Sequence, residues 1–559
     1  MLIDIIFVTY KSEKWLEPNI KSIINSQYDI KNKTSMYYYD NASPDNTYKK
    51  LEELKDKYAK YFKDFQIKKG NKNKGFGYGN NEAAKMGSSD YIFILNTDTE
   101  LKEDTLSKIE EVIKSSTEDE VAFELKQEPY EHPKYYDPIT GHVSWASGAC
   151  IIIRRDIFEK IKGFDKNIFM YCEDVDISWN IRKRGYKIKY LHNVGIIHYS
   201  YTKPNEFKTT QFIYSYVNNL YIRCKYGNIK NTLKGILLVH RAITNDYLKD
   251  TVSLEESITI RKKLRKETWK MFFKYLNARL YKHFHITKGD FKPIFYQGID
   301  YECHKLNPFK DRTQKEIKSN KKVSIIVRTC GRPDVLRENL ISLRNQTYKN
   351  FEVVIVEDGK NISEKMIKKE FKDLDIKYKA TDEKKGRCVV GNEALKMASG
   401  DYFNFLDDDD VFYPEHIEVL VEYADKFDYD IVYDTAFETK IEVISKTPYI
   451  YKVKNVNLVH QEKHNNKLLL EKNIFPIQVV MFKKEVYKNL GGLDETVDAL
   501  EDWDLWLKYS QKYKFHFIED TTSIYRVPYK TNLSKERQEF IDSYTNTIRS
   551  KYINKKNKG

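Results

Sequence analysis

The chain has 559 residues, 41% of them hydrophobic and 14% aromatic, so it can build two cores of about 200 to 250 residues each and is not a disordered protein. Its net charge of +14 comes from 96 Lys and Arg against 82 Asp and Glu. The lysines are scattered along the chain, which disfavours a nucleic-acid-binding protein. They predict a solvated surface with weak attraction to anionic membranes.

The sequence shows no mark of secretion or of membrane insertion. Its six cysteines form no CxxC pair, and the segment MLIDIIFVTY lacks the pattern of a signal peptide. No apolar run approaches the roughly 18 to 20 residues that span a bilayer. We therefore expect a cytoplasmic protein whose membrane contact is peripheral, on the inner face of the cell membrane.

The first half alternates predicted strands and helices. MLIDIIFVTY predicts a buried parallel strand that ends near Thr9, and MYYYDNAS a second strand that ends in Asp40. The glycine-rich NKGFGYGN then leads into a helix, the strand DYIFIL and the segment LNTDT. A dinucleotide-binding glycine motif would follow the first strand directly, so this later position disfavours NAD. EDVDISW, from Glu173, places three carboxylates on one helical turn.

The same order of motifs returns in the second half. KVSIIVRTC, VVIVEDGK, YFNFLDDDD and EDWDLWL follow one another, and KGFGYGNNEAAKMGSSDYIFILNTDT aligns without a gap to KGRCVVGNEALKMASGDYFNFLDDDD. Such self-similarity indicates a repeated domain. Between the halves, amphipathic helical patterns replace strand patterns. We predict α/β domains at residues 1–240 and 321–559, with mainly parallel sheets, and a helical linker region at 241–320.

Two clusters of acids suggest chemistry. The run Asp407–Asp410 ends a predicted strand, where like charges repel unless a cation such as Mg²⁺ or Mn²⁺ compensates them. A solvated turn is the alternative. In the two acidic turns, a helix start explains one carboxylate well and three poorly. A helix start that faces a cleft predicts a general base, Asp174 or Asp502, which its neighbours orient.

In this order, found twice, the motifs resemble those of inverting nucleotide-sugar glycosyltransferases of family 2, which have the Rossmann-like GT-A fold. The resemblance covers most of each half. It implies a bifunctional bacterial enzyme that moves hexoses or deoxyhexoses, with Mn²⁺ or Mg²⁺ bound. The donors would be nucleotide-diphosphate sugars, and the acceptor a glycan or a lipid-linked glycan. The implied process is the synthesis of capsule, lipopolysaccharide or another surface polysaccharide.

The resemblance also implies a role for each residue that matches a family motif. The catalytic bases would be Asp174 and Asp502, and the acceptor-side residues Glu173 and Glu501. The implied metal ligands are Asp98, His198, Asp407 and Asp409. The implied nucleotide-sugar-binding residues are Thr9, Tyr10, Asp40, Asn41, Gly75, Asn96, Thr329, Asp358, Gly386, Arg387, Asp407 and Asp408.

The first half departs from the family pattern at one position. Asn96 replaces the first acid of the Asp-x-Asp motif, and His198 would compensate for it as a ligand. The alternative is that only the C-terminal half is active, and that the N-terminal half is a degenerate glycan-binding or assembly domain.

Overall fold

The structure, a computed structural model, describes residues 1–199, 207–245, 247–281, 291–296, 298–306, 319–529 and 534–556. The chain divides into two compact units. Met1–Glu302 lies in the first unit, and Cys303–Pro308 and Gln314–Gly559 lie in the second.

The first unit is an α/β fold followed by a group of helices. Its strands are β1 (Ile3–Thr9), β2 (Thr34–Asp40), β3 (Asp64–Lys69), β4 (Tyr91–Leu95), β5 (Thr99–Leu101), β6 (Glu120–Glu128), β7 (Cys150–Arg154) and β8 (Lys187–His198). Its helices are α1 (Glu13–Ile24), α2 (Ile30–Lys33), α3 (Thr47–Tyr58), α4 (Phe76–Ala84), α5 (Thr105–Ser115), α6 (Arg155–Lys160), α7 (Glu173–Arg182), α8 (Thr209–Tyr226), α9 (Ile229–Thr244), α10 (Leu254–Lys270) and α11 (Phe272–Tyr281).

The strands of the first unit form one sheet in the order β3-β2-β1-β4-β7-β6-β8-β5. The strands β3, β2, β1 and β4 run parallel, and β7 is antiparallel to both of its neighbours. Every residue of β2 is buried, as expected of a strand in a parallel sheet covered on both faces. Because the parallel strands end at one edge, the residues that follow β1, β2 and β4 gather there.

The second unit repeats this plan. Its strands are β9 (Val323–Thr329), β10 (Phe351–Glu357), β11 (Ile376–Ala380), β12 (Tyr402–Phe405), β13 (Val411–Phe412), β14 (Ile431–Lys446), β15 (Tyr449–Val459), β16 (Val480–Lys483) and β17 (Phe515–Pro528). Its helices are α12 (Pro333–Arg344), α13 (Glu364–Glu370), α14 (Arg387–Met397), α15 (His416–Lys426), α16 (Asn466–Glu471), α17 (Lys484–Leu490), α18 (Glu501–Ser510) and α19 (Ser534–Lys556).

The sheet of the second unit has the order β11-β10-β9-β12-β16-β14-β17-β13, which matches the first sheet strand for strand. One strand is added, because β14 continues into a hairpin with β15. The predicted α/β class with two repeated, GT-A-like domains is therefore confirmed. Each sheet is mixed, since β7 and β16 run antiparallel to their neighbours.

The helices predicted for the linker region pack on the first unit. Trp179 of α7 shares one core cluster with Leu220 of α8, Leu264 of α10 and Tyr275 of α11. These helices therefore lie within the first unit, and the domain boundaries given above stay a prediction. Within the described ranges, no helix has the length and apolar character needed to cross a membrane.

Candidate active sites

In the first unit, the ends of β1 and β2 hold the loop that precedes α4. Thr9 Oγ1 donates a hydrogen bond to Asp40 Oδ1 at 2.9 Å. Asn41 Oδ1 accepts from the backbone N–H of Lys74 at 3.0 Å, and its Nδ2 donates to the carbonyl of Gly75 at 3.1 Å. Thr9, Asp40 and Asn41 are buried, so their contacts in this structure shape the site from within.

Gly75 is required by its conformation and by its surroundings. Its φ is +97°, and an added Cβ would lie 2.1 Å from the carbonyl oxygen of Phe169. A side chain is excluded on both counts. Helix α4, which follows Gly75, begins close to the acidic turn of α7. Gly148 lies between them: a Cβ added to it would be 3.2 Å from the ring of Phe76 and 3.6 Å from the Cβ of Asp174.

Asp98 and His198 form a pair at the other side of this sheet edge. His198 Nε2 lies 3.5 Å from Asp98 Oδ1, while Nδ1 lies 2.7 Å from Gln127 Oε1. Since Gln127 Oε1 can only accept, His198 Nδ1 donates this hydrogen bond. Nε2 is buried, and within the described ranges its polar neighbour is the carboxylate of Asp98. Burial opposes ionisation of Asp98, but His198 outweighs it and lowers the pKa of Asp98.

Both acidic turns begin with the same unusual backbone. Cys172 precedes α7 with φ at 68°, and Leu500 precedes α18 with φ at 60°. A left-handed conformation is costly for such residues and is concentrated at functional sites. The acid that follows this left-handed residue, Glu173 or Glu501, is buried. The second acid of each turn is only partly buried, so a substrate can reach it.

Burial makes the acids of the first turn hard to ionise. It raises the pKa of Glu173, and the neighbouring charge of Asp174 raises it further. Burial also raises the pKa of Asp174, although hydrogen bonds from the backbone N–H groups of Val175 and Gly148 work in the opposite direction. A carboxylate with a raised pKa is a stronger base than an ordinary aspartate.

The third acid of each turn has a structural partner. Asp176 Oδ1 lies 2.6 Å from Lys225 Nζ and accepts a 3.0 Å hydrogen bond from Tyr226. The second unit repeats this contact, since Asp504 Oδ1 lies 2.7 Å from Lys551 Nζ and 3.0 Å from the hydroxyl of Tyr552. Each lysine also binds a second aspartate, Asp165 or Asp494, at 2.7 Å. The third acids therefore tie α7 to α8 and α18 to α19.

On the donor side of the second unit, Asp358 holds the corresponding glycine loop. Its carboxylate accepts from the backbone N–H groups of Lys385 at 2.6 Å and Gly386 at 3.2 Å. The sheet register pairs Thr9 with Asp40 but Thr329 with Glu357. Asp358 is thus the counterpart of Asn41, and Glu357 that of Asp40. Glu357 is buried and accepts from Ser363 Oγ at 3.0 Å. The ungapped alignment of MYYYDNAS with VVIVEDGK also places Glu357 opposite Asp40, although the sequence analysis named only Asp358.

In the second unit, arginines contact three of the four aspartates in the run, Asp407, Asp408 and Asp409. Both carboxylate oxygens of Asp407 accept from Arg328, each at 2.7 Å. Burial opposes ionisation of Asp407, but the charge of Arg328 outweighs it and lowers the pKa of Asp407. Asp408 binds Arg332 and accepts from Thr329 Oγ1 at 2.7 Å. A guanidinium thus supplies positive charge that the sequence argument had assigned to a metal ion.

The acidic turn of the second unit contacts the same arginine. Glu501 Oε1 lies 3.0 Å from Arg328 Nη1 and 3.5 Å from Arg387 Nη1. Asp502 Oδ2 accepts a 2.9 Å hydrogen bond from Asn473. Burial raises the pKa of Asp502, and the charge of Glu501 adds to this effect.

The residues that were predicted to bind a metal ion are suited to that role to different degrees. Across the part of the chain that the structure describes, no group of three or more His, Cys, Asp or Glu side chains is arranged to hold a metal ion. In the first unit, Asp98 Oδ1 and His198 Nε2 lie 3.5 Å apart and are ligand atoms of the kinds that such ions bind. In the second unit, Asp407 is taken up by Arg328, whereas Asp409 keeps 41% of its side chain exposed.

Two α/β units with this strand order, each with an acidic turn beside a glycine-led helix, define a tandem GT-A glycosyltransferase fold. The model of glycosyl transferase family 2 matches residues 4–175 and 324–491, more than half of the chain. The chain belongs to glycosyl transferase family 2.

Individual relatives are distant. An uncharacterised glycosyltransferase of Methanocaldococcus jannaschii is 28% identical over 244 residues, which cover 42% of this chain and 80% of the relative. One of Haemophilus influenzae is 28% identical over 211 residues, 38% of this chain and 65% of the relative. A solved mannosyltransferase of Pyrobaculum calidifontis, in complex with GDP-Man and Mn²⁺, has 14% identity and a TM-score of 0.33, and covers 50% of this chain and 86% of that one.

Proposed function

We propose that the chain carries two inverting glycosyltransferase sites, one in each unit, that use nucleotide-diphosphate sugars. The observation that carries this proposal is the repeated acidic turn. In both units a left-handed cap precedes a buried Glu and a partly exposed Asp, next to a helix that begins after a glycine with positive φ. The donor-side residues are those predicted from the sequence, with Glu357 added in the second unit.

Asp174 and Asp502 act as general bases in this proposal. Each would remove the proton from the acceptor hydroxyl while that oxygen attacks the anomeric carbon and the nucleoside diphosphate leaves. A single backside displacement inverts the configuration. A base whose pKa approaches the working pH is well matched to this task, and the raised pKa values of Asp174 and Asp502 support the assignment.

We propose Mn²⁺ or Mg²⁺ as the cofactor. Asp98 and His198 would hold it in the first site, and Asp409 in the second. When bound, such an ion supplies positive charge to the departing diphosphate. In the second site Arg332 and Arg387 add to that charge, since their side chains remain 47% and 62% exposed beside the acidic groups.

For the acceptor we propose a bacterial surface glycan or its lipid-linked precursor, reached by peripheral contact with an anionic membrane. Two helices of the first unit expose apolar side chains: Ile229 is 63% and Leu233 59% exposed in α9, and Phe273 is 76% exposed in α11. Neither α9 nor α11 contains an acidic residue, and α9 also exposes Lys230 and Lys234. Exposed apolar side chains on helices whose own charged residues are all basic suit an acidic lipid surface.

Substitution of each base tests the two-site proposal. Release of nucleoside diphosphate from a panel of UDP-, GDP- and dTDP-sugars is measured with Asp174→Asn, Asp502→Asn and the exposed helical control Asp56→Asn. Loss of a general base costs about 10²- to 10⁴-fold in rate. We expect each base variant to lose one transfer and to keep the other, and the control to keep both.

Two outcomes would contradict the two-site proposal. If Asp174→Asn leaves every transfer unchanged while Asp502→Asn removes them all, the first unit is a glycan-binding or assembly domain. If neither variant affects any transfer, the general-base assignment is wrong in both units.

A further inference from the structure

Arg328 connects the two acidic motifs of the second site. It is the penultimate residue of β9 and is only 7% exposed. Its Nε and Nη2 donate to the two oxygens of Asp407, both at 2.7 Å, and its Nη1 donates to Glu501 at 3.0 Å. Asp407 follows β12, whereas Glu501 opens α18. One guanidinium therefore links the donor-side loop to the turn that carries Asp502.

The first unit lacks this link. Thr9 and Thr329 end corresponding strands, so Val8 occupies the position of Arg328. The ungapped repeat places Asn96 at the position of Asp407. Glu173 corresponds to Glu501, but its Oε2 is buried without a hydrogen-bond partner in the described ranges. The arginine and the aspartate are thus present together in one unit and absent together in the other, which is the pattern of a matched pair.

Arg328 is poorly placed to bind the donor itself. Three of its nitrogen atoms are occupied by carboxylates, and almost none of its surface reaches solvent. Releasing it toward a diphosphate would leave Asp407 without its cation and Glu501 with only the 3.5 Å contact to Arg387, which is costly. Arg387, at 62% exposed, has no such constraint.

We propose that Arg328 is a positioning residue that holds the Glu501–Asp502 turn at a set distance from the Asp407 loop. Asp407 serves this link and does not act as a metal ligand. The second site is therefore built as one rigid assembly, whereas in the first site the donor loop and the acidic turn carry no such connection. The kinetic part of this inference rests on the transferase activity proposed above, but the link itself does not.

A double-mutant cycle that copies the first unit tests the link. The variants are Arg328→Val, Asp407→Asn and the two combined, with Arg328→Lys as a milder change that keeps the charge but loses the two-pronged geometry. Nucleoside diphosphate release by the second site is measured with the panel of UDP-, GDP- and dTDP-sugars. We expect Arg328→Val to lower kcat by about 100-fold or more, because Asp407 loses its cation and the turn loses its support. Asp407→Asn should lower kcat by about tenfold, because Arg328 then keeps only Glu501. The combined variant should be at least about fivefold faster than the product of the single effects.

The split between kcat and KM distinguishes positioning from donor binding. A positioning role predicts that Arg328→Lys lowers kcat and leaves the donor KM within about twofold, whereas Arg387→Ala raises the donor KM. A rise in KM alone for Arg328→Lys would overturn the inference, and so would single effects that simply multiply in the combined variant.

Thermal unfolding of the same four variants gives a readout that needs no donor. We expect the Tm of the combined variant to exceed the value that the two single shifts predict by addition. If Asp502→Asn leaves sugar transfer unchanged, the proposed function fails, and the unfolding cycle still decides the inference. Additive Tm shifts would show that Arg328 and Asp407 are not coupled.

Discussion

At the residue scale, neighbouring acids in each turn have different tasks. Glu501 is buried against Arg328, Asp502 is partly exposed, and Asp504 is fully buried against Lys551. Only the middle acid combines access to a substrate with a raised pKa. In the proposed mechanism, the three carboxylates on one helical turn are divided among positioning, proton transfer and helix packing.

If Asp502 is the general base, as proposed, its raised pKa makes transfer at the second site sensitive to acid. A base acts only when deprotonated, so a pKa raised above the usual 3.8 moves the loss of activity to higher pH. We expect kcat/KM to decline on the acid side with a midpoint at least about one unit above the ordinary aspartate value. A profile that stays level down to about pH 4 would contradict this expectation.

Asn473 offers a matched variant for the same profile. Its hydrogen bond to Asp502 Oδ2, 2.9 Å long, favours the ionised carboxylate and works against the effect of burial. Asn473→Ala should therefore move the acid limb of the second transfer to still higher pH. The first transfer, measured in the same protein, should keep its profile.

At the scale of elements, two equivalent glycines provide a test of local packing. Gly75 and Gly386 both have positive φ, +97° and +95°, but an added Cβ would touch Phe169 only at Gly75 and meets nothing within 4 Å at Gly386. We expect Gly386→Ala to cost about 1 to 2 kcal/mol from backbone strain alone, and Gly75→Ala to cost at least about 1 kcal/mol more from the clash. Urea unfolding of both variants measures the difference, and equal losses would contradict the stated packing.

The helices α8 and α19 hold the two acidic turns through their lysines, Lys225 and Lys551. Lys225 bridges Asp176 and Asp165, and its loss would leave both acids without their cation. We expect Lys225→Met to lower the free energy of unfolding by about 3 kcal/mol, whereas Lys21→Met, which removes an exposed pair with Glu17, should cost less than about 1 kcal/mol. Urea unfolding provides both values. Similar small losses for the two variants would show that the brace adds no stability.

At the scale of the whole molecule, the net charge of +14 and the exposed apolar side chains of α9 and α11 predict contact with an anionic membrane. We expect the protein to float with vesicles that contain an acidic phospholipid at low salt, and to be released by high salt, because surface charges are screened. The double substitution Leu233→Ser with Phe273→Ser should weaken flotation. The matched control is Ile444→Ser, which changes a side chain that is 62% exposed in the hairpin of the second unit.

Flotation that is absent even at low salt would leave the excess of lysine as a solvated surface. Equal flotation of the Ser variants and the parent protein would place the contact elsewhere. Concentration-dependent self-association that these substitutions abolish would identify a second copy of the chain as the partner of this surface.

The sequence by itself determined the repeat, the α/β class and the two Glu-Asp turns. These features depend on local patterns: apolar runs of strand length, glycines before helices, and acids on one helical turn. Their order along the chain was enough to identify the family.

The tertiary structure decided which side chains meet. Arg328 and Glu501 are 173 residues apart in the sequence, and Lys551 and Asp504 are 47 residues apart. No local sequence pattern predicts either contact. The register of β9 and β10 pairs Glu357 with Thr329 as that of β1 and β2 pairs Asp40 with Thr9, and a shift of one residue would turn these side chains to the opposite face of the strand. Long-range pairing and strand register arise only when the chain folds, and they set the electrostatics of both sites.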